Sequence, residues 1–188
     1  MRLVLATRNA HKVREFETLL AAHEILPLAE DVELPPETAE TFAGNALGKA
    51  RAAAAATGRA AIADDSGIEA AALGGAPGVR SARYAGEDAG DEENLAKLLR
   101  EAPAGSELAY VCAVAYVDES GAEQVVEGRC TGTLAQRPRG DGGFGYDPAF
   151  LPDDLPDGRT MAELDPAEKD AISHRGRAAR ALLALLEG

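Results

Sequence analysis

At 188 residues, 46% hydrophobic, 4% aromatic and without tryptophan, the chain suits one domain whose core rests on Ala, Leu and Val. Its formal net charge of −13 leaves no broad basic field for a nucleic-acid polymer, so an anionic small molecule fits only where lysines and arginines converge or a divalent cation mediates. Residues 1–6 read as a strand and not a signal peptide, and no apolar run approaches the roughly 20 residues of a membrane span, so a soluble cytoplasmic protein without membrane contact is expected.

Residues 2–6 form the first apolar run, and Val13, Phe16, Leu19 and Leu20 then recur at helical spacing. Between them stand Thr7, Arg8, Asn9, Ala10, His11 and Lys12, where Asn9 or Thr7 could cap the helix. Two readings stand: an ordinary βα turn with solvated bases, or an anion site made of helix N–H groups and basic side chains. No Walker-type Gly-x-x-x-x-Gly-Lys-Ser/Thr is present, which excludes a P-loop enzyme. Residues 25–28 read as a short second strand. The acidic stretch 31–40 carries Pro35-Pro36 and Glu37 and reads as a loop, followed by an Ala-rich helix over 38–57. Phe42, Asn45, Lys49 and Ala53 lie close to one face of that helix, making Asn45 and Lys49 either a functional polar pair or a solvated one.

The apolar run 60–63 leads into Asp64 and Asp65, after which Ser66 and Gly67 are expected to turn the chain. Asp-Asp-Ser-Gly is either a polar turn or a pair of acids delivered to the carboxyl edge of a sheet, where α/β proteins bind ligands. Were the strand to continue, the two aspartates would point to opposite sides. Residues 67–86 read as a long Gly-punctuated loop, 91–100 as a helix, and 108–117 with 124–131 as a β-hairpin in the middle of a mixed sheet. Cys112 and Cys130 fall in those apolar runs without metal-ligand spacing, and read as buried thiols of a reducing compartment.

Gly140, Gly142 and Gly145 formally match Gly-x-Gly-x-x-Gly, but Tyr146-Asp147-Pro148 opens no helix, which argues against a dinucleotide fingerprint. A Gly-rich loop presenting Phe144 and Asp147 suits a flat heterocycle, stacked on the ring and held by its N–H edge. Asp165-Pro166-Ala167-Glu168 is a capping box that starts a helix. Ser173-His174-Arg175-Gly176 interrupts it, and an amphipathic helix over 177–186 follows. Lys169, His174 and Arg175 form one cationic cluster.

Together these motifs resemble the inosine triphosphate pyrophosphatase family. They are Leu5-Ala6-Thr7-Arg8-Asn9-x-x-Lys12, Glu37-Thr38, Phe42-x-x-Asn45-Ala46-x-x-Lys49-Ala50, Ala63-Asp64-Asp65-Ser66-Gly67, Gly74-Gly75-x-Pro77-Gly78-Val79-x-Ser81-Ala82-Arg83-Tyr84, Gly143-Phe144-Gly145-Tyr146-Asp147-Pro148 and Ser173-His174-Arg175-Gly176. The resemblance implies an α/β fold: a single two-lobed domain around a long mixed sheet flanked by helices, with the active-site cleft between the lobes. It implies a homodimer that needs magnesium and cleaves non-canonical purine nucleoside triphosphates (ITP, dITP, XTP) to monophosphate and pyrophosphate. Carried over by position, Thr7, Arg8, Asn9, Ala10, His11, Lys12 and Lys49 hold the phosphates, and Ser66 lies beside the substrate. Phe144, Gly145, Tyr146, Asp147, Lys169, His174 and Arg175 hold the base. Glu37, Asp64 and Asp65 serve the magnesium, and Asp65 accepts the proton. Arg8 departs from the glycine common in bacterial relatives.

The chemistry of the residues agrees: magnesium prefers one or two carboxylates with waters and phosphates, and attack at a phosphorus needs a carboxylate to take a proton from water. A 6-oxo acceptor on the base could be met by His174 or Arg175, whereas adenine presents a donor there. The alternatives are a pyrophosphatase for other modified nucleotides and a catalytically silent nucleotide-binding module.

Overall fold

In the computed structural model, which describes residues 1–187, β1 (Arg2–Leu5) is followed by a short loop whose last residue, Asn9, opens α1 (Ala10–Leu19). Its extended backbone lets the carboxamide oxygen accept from the N–H groups of His11 and Lys12, at 2.9 and 3.3 Å, so the capping residue is the expected one. The next helix, α2 (Phe42–Thr57), starts later than the predicted 38–57. Thr41 is extended and caps Gly44 at 3.1 Å, while the Asn45 side chain takes the Ala39 N–H at 2.9 Å, so residues before Thr41 are held off the helix axis. Gly58 closes α2 in the left-handed region at φ 63°, a conformation glycine adopts without penalty.

The larger departure is β3 (Ala61–Ala70), which runs straight through Asp-Asp-Ser-Gly where a turn is expected. Ile68 and Ala70 are fully buried in an apolar cluster, and the Ser81 hydroxyl accepts from the Ile68 N–H at 2.9 Å. Packing and pairing override the turn preference of Ser66-Gly67, as tertiary context overrides local propensity in strands. The predicted loop therefore begins only at Ala71 and is itself partly ordered as a 3₁₀ segment at Gly78–Arg83.

Then follow α3 (Asp91–Glu101), β4 (Glu107–Val117), β5 (Glu123–Leu134), β6 (Phe150–Pro152), α4 (Pro166–Ile172) and α5 (His174–Glu187). The six strands form one mixed sheet in the order β2-β1-β3-β4-β5-β6, with β1 parallel to β2 and β3, and β5 antiparallel to β6. The hairpin strands stand at the predicted place, slightly longer; β6, three residues long, carries too little pattern to be read in advance. The capping box forms as expected: Asp165 accepts from the Glu168 N–H at 2.8 Å and Glu168 from the Asp165 N–H at 3.0 Å. The predicted interruption at 173–176 narrows to Ser173 alone, since α5 already starts at His174.

The chain divides into two compact units. One comprises Met1–Asp65, Cys112–Gly128 and the residues from Arg175 onward. Its core joins Leu3, Leu5, Phe16, Leu20, Ile62, Val114 and Leu182, so α1 and α5 pack on β1, β3 and β4. The other comprises Ser66–Val111 and Arg129–His174, with Ile68, Leu98, Tyr110, Leu134, Phe150 and Met161 in its core. Each fully buried Leu, Ile or Phe contributes about 1.5–3 kcal/mol.

Gly132 reports on the β5–β6 contact. A Cβ there would lie 2.3 Å from the Leu151 carbonyl oxygen and 2.8 Å from the Phe150 ring. A paired backbone oxygen has little room to yield, so Gly132→Ala is expected to cost about 1–3 kcal/mol and lower the melting temperature by about 2–4 °C for each of them. An unchanged melting curve would contradict that register.

Candidate active site

In the first unit, β3 delivers Asp64 and Asp65 side by side, and the two face different partners. Asp64 Oδ2 receives Lys12 Nζ from α1 at 3.0 Å, and Arg175 from the first turn of α5 through Nη2 at 3.1 Å and Nε at 3.3 Å. The Cys112 thiol of β4 points at the same oxygen from 3.9 Å. Arg175 is itself 1% exposed, and its Nη1 donates to Glu15 of α1. Asp65 Oδ2 instead accepts from the Asn45 carboxamide at 2.8 Å, and one turn further along α2 Lys49 pairs with Glu37. Asn45 and Lys49 are both buried, so they are not a solvated pair.

Their electrostatics diverge. Burial on its own would push the Asp64 carboxyl up, but Lys12, Arg175 and Lys49 together outweigh it and hold the group well below the usual carboxylate range. Asp65 moves the other way: burial, then the charge of Glu37, raise it against Lys49 and the Asn45 hydrogen bond. Burial would lower Lys49, yet Asp64, Glu37 and Asp65 keep it above its ordinary value, so it stays an ammonium. Burial and the neighbouring Asp64 push the Cys112 thiol up to about 12, which keeps it protonated and a poor nucleophile.

The phosphate-loop residues are placed less uniformly than expected. Lys12 joins Asp64, whereas His11 lies exposed with Nδ1 3.0 Å from Arg14, and Ala10 opens α1. Asn9 itself occupies the His11 and Lys12 N–H groups, and Thr7 Oγ1 accepts from the Asn9 N–H at 3.2 Å. Arg8 turns to the segment after β2, donating to the carbonyls of Leu28, Ala29, Glu30 and Val32 at 2.8–3.2 Å. The bulky cation thus fastens the start of the loop that carries Glu37.

The second unit holds an aromatic and polar set. Asp147 Oδ2 accepts from Lys169 Nζ at 2.9 Å and from the Phe144 N–H at 3.0 Å, and Oδ1 accepts from the Tyr110 hydroxyl at 3.0 Å. Lys169 also stands 4.8 Å from the Phe144 ring centroid. The Tyr110 ring lies parallel to the His174 imidazole, 4.5 Å away at an interplanar angle of 6°. Asp91 holds the Gly145 N–H at 2.8 Å and the Tyr146 hydroxyl donates to the Ser81 carbonyl at 2.7 Å, so the glycine loop is anchored at two adjacent residues. Gly143 is obligatory there: φ is 70°, and a Cβ would fall 2.1 Å from Asp147 Oδ2. Ser66 follows Asp65 on β3 as the half-buried first residue of this unit.

Glu15 and Tyr110 escape the sequence reading. Glu15 has a faint signal, three residues after Lys12 on one helix face; Tyr110 has a better one, a hydroxyl that must find a partner inside an apolar strand. Asp147, expected at a base edge, is 2% exposed and accepts three donors from within the protein. Likewise Arg175 directs its guanidinium to Asp64 and Glu15.

Compared with known proteins, residues 3–185 match the model of the Ham1 family. The chain belongs to the Ham1 family. It is 52% identical to a dITP/XTP pyrophosphatase of Mycolicibacterium paratuberculosis, covering 98% of this chain and 95% of that protein. A dITP/XTP pyrophosphatase of Geobacillus kaustophilus is 51% identical over 94% of this chain and 89% of its own. Among solved structures, a Ham1 protein from Coxiella burnetii superposes with a TM-score of 0.88 at 42% identity, covering 100% of this chain and 98% of that one. A dITP/XTP pyrophosphatase from Mycobacterium abscessus gives 0.77 at 45% identity, with 97% and 99% covered.

In this Ham1-family chain the buried guanidinium sets the stability of the acid pair. Arg175→Met would take one of its two cations from Asp64 and the guanidinium from Glu15, an expected loss of about 3–5 kcal/mol. A urea midpoint matching that of the native protein would show that Arg175 is not what compensates them.

Proposed function

We propose that this protein hydrolyses ITP, dITP and XTP to the nucleoside monophosphate and pyrophosphate, removing them from the nucleotide pool. The observation that carries the proposal is the split between Asp64, held by Lys12 and Arg175, and Asp65, which meets neither and instead accepts from Asn45 close to the Lys49–Glu37 pair, where burial raises its carboxyl. A carboxylate of raised basicity is what proton abstraction from water at neutral pH asks for. The relatives at about 50% identity that bear the name dITP/XTP pyrophosphatase support the substrate class.

In this reading the first constellation takes the phosphates and the second the base, with the chain acting as a single domain. Lys12 and Lys49 present ammonium groups to phosphate oxygens. Asp65 accepts the proton as a water oxygen bonds to the α-phosphorus and the bond from that phosphorus to the bridging oxygen breaks, releasing pyrophosphate. Asn45 holds Asp65 in position from the side. Lys169 and His174 offer donors to a 6-oxo group; the amino group of adenine would leave them unpaired, which in a buried site discriminates by as much as about 10⁴-fold.

The donor set fits a divalent cation. Among the described residues no three His, Cys, Asp or Glu side chains converge as a ready-made cage. The charge of Glu37 nonetheless acts on Asp65, and two mutually repelling carboxylates suit magnesium, which prefers few protein ligands and keeps water and phosphate oxygens. Glu37 and Asp65 would hold it, with Asp64 fastening the cations around them; bound magnesium would neutralise phosphate oxygens as negative charge develops. We also propose a homodimer, on the family resemblance, and a cytoplasmic location, on the two buried thiols, Cys112 and Cys130, which suit a reducing compartment. No helix among the described residues is long and apolar enough to cross a membrane.

Incubating the protein with ITP, dITP, XTP, GTP and ATP plus magnesium, while measuring pyrophosphate separately from orthophosphate, tests the assignment. Monophosphate and pyrophosphate should appear from the first three, with kcat/KM for ATP lower by about 10²-fold or more. Orthophosphate as the first product, or equal rates on ATP, would overturn it.

A further inference from the structure

Tyr110 touches two residues of the base set at once, each through a different part of its side chain. Its hydroxyl donates to Asp147 Oδ1 and its ring covers the His174 imidazole, with the Phe150 ring 4.7 Å away from it. Tyr110 is 6% exposed, and burial with the adjacent Asp147 holds the phenol protonated, so it is a donor here.

The arrangement follows from acceptor arithmetic. An ionised carboxylate offers about four lone-pair positions, two on each oxygen. On Asp147, Lys169 and the Phe144 N–H fill Oδ2, beside which no side chain of residue 143 would fit. Oδ1 would have no donor but for the Tyr110 hydroxyl. Three donors from within the protein thus meet Asp147, and its Oδ1 is held by one of them, the Tyr110 hydroxyl.

We propose that Tyr110 is a specificity-determining positioning residue: by capping Asp147 it keeps a carboxylate acceptor from rewarding a purine that carries an exocyclic amino group. The inference rests on the reading that this set receives the base. Hypoxanthine, xanthine and guanine share a ring N1–H, so what an uncapped acceptor would newly reward is the exocyclic amino group, which guanine and adenine carry and hypoxanthine and xanthine lack. A buried acceptor stripped of its donor takes one from whatever ligand supplies it, and an amino group is such a donor. Discrimination here comes from an attraction that has been cancelled inside the protein, beside the donors that favour the 6-oxo group.

Tyr110→Phe removes the hydroxyl and keeps the ring on His174. The measurement is kcat/KM for ITP, GTP and ATP on the purified variant and the native protein, with pyrophosphate as the readout. The expected result is a rise of about tenfold or more in the GTP/ITP or ATP/ITP ratio, with ITP turnover still measurable. Tyr110→Leu, which removes the ring as well, should raise the ratio again and also raise KM for ITP, since His174 loses its stacking partner. Should the phenylalanine variant fold poorly, that ratio in the leucine variant decides. Unchanged ratios, or an equal loss on all three substrates, would overturn the inference and leave Tyr110 a packing residue. If the native protein makes no pyrophosphate from ITP, it is the proposed function that fails.

Discussion

Asp64 bears a full negative charge with no exposed surface, and most of the first unit is arranged around that fact. An isolated buried carboxylate would cost several kcal/mol or neutralise itself. Lys12 arrives from α1, Arg175 from α5, and the strand itself supplies the anion, so one cluster fastens both helices to the sheet. Glu15 then balances the second face of the guanidinium. The same lock gives the neighbouring residue its freedom: with the cations bound to Asp64, Asp65 is left to burial and Glu37, and its carboxyl rises. Adjacent residues on a strand point to opposite sides, which is how identical side chains separated by one peptide bond acquire opposite tasks.

The second unit uses the same principle with different groups. Asp147 is nearly inaccessible, and its value lies in what it holds: the Lys169 ammonium, the backbone of Phe144 and the Tyr110 hydroxyl. Fixed dipoles and charges that need no rearrangement when the ligand arrives are the general means by which a site gains selectivity. The glycine loop is rigid for a similar reason, being tied to Asp91 and to the Ser81 carbonyl, with Ser81 in turn holding β3 at Ile68. The stretch around Ser81, which reads as loop in the sequence, therefore ties the glycine loop to β3.

Much of this was legible beforehand wherever local chemistry decides the outcome. Asn9, the Asp165–Glu168 box and the hairpin register through their own side chains and periodicity, and they stand where expected. The acid pair was legible as a pair, but its setting was not: Asp-Asp-Ser-Gly is a turn by propensity and a strand by packing, and only the burial of Ile68 and Ala70 decides between them. Arg8 shows the same limit. A cation beside Asn9 and Lys12 reads as a phosphate ligand, yet the nearest acceptors in space are the carbonyls of Leu28, Ala29, Glu30 and Val32, some twenty residues away in the chain. Partners at such separations leave no periodic mark in a single sequence.

The division of labour between the two aspartates is the claim on which the account stands, and paired single substitutions reach it directly. Measuring unfolding free energy and ITP turnover for Asp64→Asn and Asp65→Asn separates structure from chemistry. Asp64→Asn should lose about 3–5 kcal/mol of stability, because the buried Arg175 and the half-buried Lys12 lose the carboxylate they share. Asp65→Asn should stay within about 1 kcal/mol of the native protein, since burial disfavours the charge of that carboxylate and an amide there can still accept from Asn45, while turnover is abolished and ITP binding persists. Near-normal turnover in Asp65→Asn, or equal destabilisation by both substitutions, would contradict the account.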